Sequence, residues 1–339
     1  MSSIKTDLLI IGAGPVGLFT VFEAGLLKMR CHLMDVLPHI GGQLTEIYPK
    51  KPIYDIPGFP FILASDLVSN LRKQIEPFKP TFTLGERTDR IERHEDGSFT
   101  VYGHGRTVID TKVIVIAGGL GCFEPRKPPI TDIERYEGKG VDYFVKQPED
   151  YAGKRVVIAG GGDSALDWTI ELADVAQSVT LIHRRTSFRG APDSVDKVVS
   201  LVKDKKVNLI TNASVIDLQG NDKLESAVIE HDENRMSLDT DYFLPLFGLT
   251  PKLGPIADWG LGIDKTSIHV DPLDYSTNVK GIYAVGDINN YPGKLKLILC
   301  GFHEATLMCQ SAFHHIYPEQ KLSFKYTTVT GIEGLPELK

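Results

Sequence analysis

One short programme appears twice in the chain, and that repetition limits the fold more than any other feature. Asp7-Leu8-Leu9-Ile10-Ile11 is an apolar run suited to the inside of a parallel sheet, and it leads directly into Gly12-Ala13-Gly14-Pro15-Val16-Gly17. Val16 to Lys28 can then be helical, Cys31 to Met34 can form a second strand, and Asp35 stands at its end. The second copy runs from Arg155 to Ala159, through Gly160-Gly161-Gly162-Asp163-Ser164-Ala165, into a helix from Asp163 to Ala176 and a strand from Val179 to Ile182. The three small residues of each turn have separate jobs. The first (Gly12, Gly160) permits a tight turn, and the second (Gly14, Gly162) lets the backbone approach a pyrophosphate. The third (Gly17, Ala165) lets helix and strand pack closely. Each helix N-terminus then faces the phosphates. The first glycines lie 148 positions apart, so the chain reads as an internal duplication of a Rossmann-like unit.

The two copies differ where such units discriminate between ligands. At 23 positions past its first glycine, the first unit carries Asp35 and the second His183, followed by Arg184, Arg185 and Arg189. A carboxylate accepts hydrogen bonds from free ribose hydroxyls, whereas a guanidinium binds a 2′-phosphate in bidentate fashion. The second unit therefore suits NADP(H), with Arg184, Arg185 and Arg189 on the phosphate. The first unit suits an adenosine lacking that phosphate, and FAD is the expected partner, since it can pass a hydride on.

The remaining sequence fits around these units. Ser65 to Phe78 has helical spacing with Ser65 as a candidate N-cap, and Thr81 to Ile116 alternates with turn signals at Asp96-Gly97 and His104-Gly105. That pattern predicts a small antiparallel meander whose last part, Val113 to Ile116, re-enters the parallel sheet. Leu120 to Pro129 reads as a linker, Val207 to Leu246 alternates again, and Gly281 to Asp287 reads as one more strand ending in Gly-Asp. Leu295 to Ile316 is a long apolar helix, and Leu322 to Lys339 is a tail too short for a core of its own. The length of 339 residues suggests two domains, and a net charge of −7 argues against a nucleic-acid binder. With no signal-like or membrane-length apolar run and no CxxC or metal spacing among Cys31, Cys122, Cys300 and Cys309, a reducing, cytoplasmic setting without metal is expected. Cys31 and Cys309 read as buried thiols.

Together with Gly42-Gln43-Leu44, His183-Arg184-Arg185 and Val285-Gly286-Asp287, the two turns resemble the thioredoxin reductase fold over nearly the whole chain. The resemblance implies an α/β protein with two Rossmann-like, three-layer ββα nucleotide-binding domains. The FAD domain is split, 1–119 and 285–339, around an NADP(H) domain at 120–284. The redox CxxC of thioredoxin reductases is missing: its positions fall near Phe144 and Gln147. A thiol relay of that kind is thereby excluded. What remains resembles the thioredoxin-reductase-like ferredoxin–NADP(+) reductases, through Gly41-Gly42-Gln43-Leu44 with Tyr48-Pro49, Pro125-Arg126-Lys127, Tyr291, Gly293-Lys294, and Lys325-Tyr326-Thr327-Thr328. This resemblance implies hydride transfer from NADPH to flavin N5 and single electrons to ferredoxin, an iron–sulfur carrier, or the reverse. It also implies a homodimer. Asp35, Gln43, Tyr48, Thr88, Phe123, Asp287 and Thr328 would contact FAD; Tyr48 would stack on one flavin face and Tyr326, from the other subunit, on the opposite one. Gly160, Gly162, Asp163 and Ser164 would join the three arginines around NADP(H). Lys50, Lys51, Arg126, Lys127, Lys294 and Lys296 are candidates for docking an acidic carrier. A reductase of flavodoxin, which the same surface could serve, of a quinone or of a small disulfide, and a non-catalytic NADP(H) sensor, are the alternatives.

Overall fold

A computed structural model describes residues 3–121, 124–145, 147–232, 234–250, 252–322 and 331–332. The chain divides into two compact units, Met1–Cys122 with Pro251–Lys339 (unit 1) and Phe123–Thr250 (unit 2).

In unit 1, strand β1 (Ile4–Ile11) feeds the first glycine turn, helix α1 (Pro15–Leu26) and the parallel strand β2 (Cys31–Asp35). Leu8, Leu9 and Ile10 are fully buried, because helices or further chain cover both faces of the sheet. Each such side chain stabilises the fold by roughly 1.5–3 kcal/mol relative to exposure. The helix stops at Leu26, short of the predicted Lys28, because Lys28 takes a left-handed conformation with φ of 61°. Helix α2 (Ala64–Ile75) follows. Ser65 does not cap it: Ser65 lies inside the first turn and its N–H donates to Pro49 O.

The predicted meander is only partly antiparallel. Strand β3 (Thr81–Leu84) instead extends the parallel sheet along β2, where His32 pairs with Thr81 and Asp35 with Leu84. The reason is local: the buried His32 ring bonds Thr81 Oγ1 at 2.7 Å and Thr83 Oγ1 at 3.0 Å, which pins that edge. Strands β4 (Thr88–Arg93), β5 (Phe99–Gly103) and β6 (Val108–Ile116) form the antiparallel part, with β6 parallel to β1.

Unit 2 repeats the scheme. Strand β7 (Arg155–Ala159), helix α3 (Asp163–Leu172), strand β8 (Ser178–His183), helix α4 (Pro192–Lys203) and strand β9 (Val207–Thr211) alternate along a parallel sheet. A three-stranded antiparallel sheet, β10 (Ala213–Gln219), β11 (Ser226–His231) and β12 (Asn234–Asp239), accounts for most of the alternating stretch. Strand β13 (Tyr242–Pro245) returns beside β7. The sequence "linker" is partly ordered: Glu124–Pro125 pairs with Leu249–Thr250.

The chain re-enters unit 1 earlier than residue 285. Trp259, Leu261 and Ile268 bury themselves with Phe99, Ile109 and Ile282 of unit 1, so 252–284 belong to that core and not to the inserted unit. Strand β14 (Ile282–Ala284) then pairs in parallel with Ile114–Ile116 of β6, and helix α5 (Ile298–Ile316) packs on α1.

Candidate functional site

The first glycine turn is as crowded as its sequence requires. Gly12 has φ of 110°, and a Cβ there would meet Ala117 O at 2.4 Å; a Cβ at Gly17 would meet Gly12 O at 2.0 Å. Gly14 is open, its nearest neighbour being the Cα of Gly42 at 4.0 Å. It is the N-cap of α1 and, having no side chain, bonds none of the helix's first N–H groups.

Asp35 ends β2 and ties the turn together. Its Oδ2 accepts the Ala13 N–H at 2.6 Å and its Oδ1 the Leu37 N–H at 2.9 Å. Burial pushes this carboxyl above the usual carboxylate range, against the pull of those two N–H groups. A carboxylate has about four acceptor positions, so capacity remains for ribose hydroxyls. The turn after β3 is drawn to the same place, with Gly85 N–H on Leu37 O and Glu86 N–H on Asp35 O. Just beyond, Thr88 is buried and its Oγ1 has no hydrogen-bond partner among the described residues. An open glycine turn and a carboxylate with spare acceptors, with an orphaned buried hydroxyl two residues past the Glu86 that bonds Asp35, fit an adenine dinucleotide.

Gly41 N–H bonds Ala13 O at 2.8 Å, which seats the Gly41-Gly42 turn against the first glycine turn. Gln43 follows, with its Nε2 close to Gly119, three residues past the end of β6. Tyr48 is half-buried, with Lys51 Nζ 5.7 Å from its ring centre. Burial, reinforced by the Asp287 charge, pushes the Tyr48 phenol up to about 12. Asp287 lies in the turn after β14; burial raises its carboxyl, Lys294 and Lys296 pull it down, and Glu304 pushes it up. Gly12, Gly14, Gly17, Asp35, Gln43, Thr88 and Asp287 thus gather at or near the carboxyl ends of the unit 1 strands. Ligands of open α/β sheets bind there. Phe123, Tyr326 and Thr328 lie outside the described residues.

Unit 2 has its own turn. A Cβ at Gly160 would meet Ala165 Cβ at 2.6 Å, and Gly162 is open. His183 replaces the acid at the end of β8. Its ring lies against Gly161, where a Cβ would stand 2.1 Å from it, and stacks on Phe188 at 4.9 Å. The His183 Nε2 meets Ser187 O at 3.0 Å, and Arg189 N–H donates to Gly161 O at 2.8 Å. The Arg184–Arg189 loop is therefore tied to the glycine turn by a ring and by backbone. Arg184, Arg185 and Arg189 are exposed and form no ion pair among the described residues. Ser164 is exposed in the first turn of α3. Asp163 uses its side chain elsewhere, accepting Ala191 N–H at 2.7 Å, and acts as a latch on the loop.

Two docking candidates change character. Lys127 is engaged by Glu134 at 3.0 Å and Glu137 at 2.6 Å, and Lys294 is buried against Glu304. Lys50, Arg126 and Lys296 are exposed. Sequence reasoning missed Glu304, although a lone acid in an apolar helix was a signal. Cys31 and Cys309 are buried with free thiols, as expected, and burial pushes both above the ordinary thiol range. Among the described residues no cluster could hold a metal ion, and no helix is long and apolar enough to cross a membrane.

Two dinucleotide-type turns on separate sheets, with opposed chemistry at the ends of β2 and β8, define a two-nucleotide oxidoreductase architecture. The chain belongs to the pyridine nucleotide-disulphide oxidoreductase family, whose profile matches residues 6–305. Within it, the chain is similar to proteins named ferredoxin–NADP reductase. One from Christiangramia forsetii is 63% identical over 98% of this chain and 95% of its own length. One from a Bradyrhizobium is 51% identical over 96% of each chain. A crystal structure of Lactococcus lactis thioredoxin reductase (FR conformation) superposes with a TM-score of 0.79 at 25% identity, covering 92% of this chain and 99% of that one.

Proposed function

We propose that the chain is an FAD-dependent reductase that passes electrons between NADP(H) and ferredoxin, with FAD in unit 1 and NADP(H) in unit 2. The observation that carries this reading is the contrast between two otherwise matching turns. Asp35 closes one and an exposed arginine loop closes the other. The names of relatives at 51–63% identity support ferredoxin as the carrier.

When bound, flavin exchanges a hydride with nicotinamide and single electrons with an iron–sulfur carrier. The chain's own residues bind and orient. Gly12 and Gly14 admit the pyrophosphate, Asp35 accepts from the ribose, and Thr88 Oγ1 and Asp287 supply further polar contacts. Tyr48 offers a flat face held from behind by Lys51. Arg184, Arg185 and Arg189 take the 2′-phosphate. By the family resemblance, Phe123 and Thr328 also contact FAD, and Tyr326 covers the flavin of the second subunit in a homodimer. The exposed Lys50, Arg126 and Lys296 are the docking charges, and free thiols suit a cytoplasmic setting. The sequence has no dithiol at Phe144 and Gln147 for the relay that thioredoxin reduction needs.

Cytochrome c reduction with NADPH, measured with and without added ferredoxin, tests the proposal. Turnover should depend on ferredoxin and fall sharply with NADH. Equal rates without a carrier, or a preference for NADH, would overturn it.

A further inference from the structure

Glu304 is the one acid of α5 and is fully buried. Its four side-chain hydrogen bonds among the described residues all reach the segment that follows β14. Oε2 accepts the Gly286 N–H at 2.7 Å and Asn289 Nδ2 at 2.8 Å. Oε1 accepts the Tyr291 hydroxyl at 2.9 Å and the Lys294 ammonium. Lys294, with its side chain 4% exposed, also donates to the Gly286 carbonyl at 2.9 Å. Both polar groups of the Gly286 backbone are thus held by one buried pair, the N–H by Glu304 and the C=O by Lys294.

Gly286 has φ of 79°, a conformation that demands such support or a glycine, and here has both. The next residue is Asp287. A buried ion pair contributes little net stability compared with well-packed apolar residues of similar volume. Apolar residues, however, could not bond the two groups of Gly286. What the pair supplies, then, is orientation.

We infer that Lys294 and Glu304 are positioning residues that fix the Gly286–Asp287 turn toward the flavin nucleotide, and so set its affinity and electronic environment; this rests on the assignment of FAD to unit 1. Both act on that turn through the Gly286 backbone. Removing one alone would leave an uncompensated buried charge, so the informative variants are doubles. K294M/E304L abolishes both bonds to Gly286. K294Q/E304Q keeps a neutral donor and acceptor in place.

The experiment titrates apoprotein of wild type and both doubles with FAD, and records melting temperature, visible flavin spectrum and midpoint potential. In K294M/E304L the FAD affinity should fall roughly ten- to a hundredfold, the scale of breaking one charge-assisted hydrogen bond at a displaced Asp287, and the spectrum and potential should shift. K294Q/E304Q should restore a large part of both. A pair serving the fold alone would lower the melting temperature of the apoprotein while the flavin that still binds keeps wild-type spectrum and potential; that result overturns the inference. So does failure of both doubles to fold. Wild-type protein that takes up no FAD would defeat the assignment of FAD itself, and the inference with it.

Discussion

Single residues of the first turn separate fold from ligand. Gly17 has Gly12 O at 2.0 Å from its would-be Cβ, while Gly14 has 4.0 Å of clearance and an extended φ of −72°. Gly17→Ala should therefore destabilise the apoprotein by about 1–3 kcal/mol, as overpacking does. Gly14→Ala should melt like wild type yet bind FAD poorly, because the new methyl would intrude on the proposed pyrophosphate path. Melting curves and FAD titration side by side check the split, and equal melting of the two variants would refute it. His32 gives a pH dependence. Burial between Thr81 and Thr83 lowers its imidazole below the ordinary value of 6.5, so the folded chain holds the ring neutral while the unfolded chain takes up a proton below that value. The stabilisation from the neutral ring is complete above the unfolded value and is lost as the pH falls below it. Apoprotein melting measured at about pH 7.5 and about pH 5.5 should drop, and His32→Gln should shrink that drop. An unchanged drop in the variant would exclude His32 as the cause.

Among elements, the loop after β8 carries the proposed choice of nucleotide. Its backbone is fixed by the His183 ring and by Arg189 N–H on Gly161 O, while its guanidinium groups stay exposed. Arg184→Ala should weaken NADPH by roughly ten- to a hundredfold, as expected for one charge-assisted contact, and leave NADH nearly unchanged. Dissociation constants for both cofactors measure it, and equal weakening of the two would reject the assignment. The elements themselves were legible where the pattern was strong. Arg155–Ala159 matches its predicted bounds. Boundaries failed where local chemistry intervened: Lys28 turned left-handed and ended α1, and the His32 contacts drew Thr81–Leu84 into the parallel sheet. Neither is a matter of hydrophobic period, so neither was visible to a periodicity argument.

For the whole molecule, electron flow without thiols is the sharpest claim. Cys31 and Cys309 are buried with thiols pushed upward by burial, and Phe144 and Gln147 stand near the missing relay positions. Replacing all four cysteines by Ala should preserve ferredoxin-linked turnover in folded, FAD-loaded protein; its loss there would place a thiol in the chemistry. By itself the sequence determined the duplicated α/β architecture, the two glycine turns and the acid–arginine contrast between them. These follow from residue type at short spacing, where a missing Cβ or a formal charge acts on its immediate neighbours. Only the tertiary structure decided that residues 252–284 pack with unit 1, because that depends on Trp259 and Ile268 finding Phe99 and Ile282 far away in the chain. The same holds for Lys294. As a letter in the sequence it was a docking charge; in the fold it is buried beneath the Gly286 turn, because Glu304, on a helix ten residues further on, meets it there.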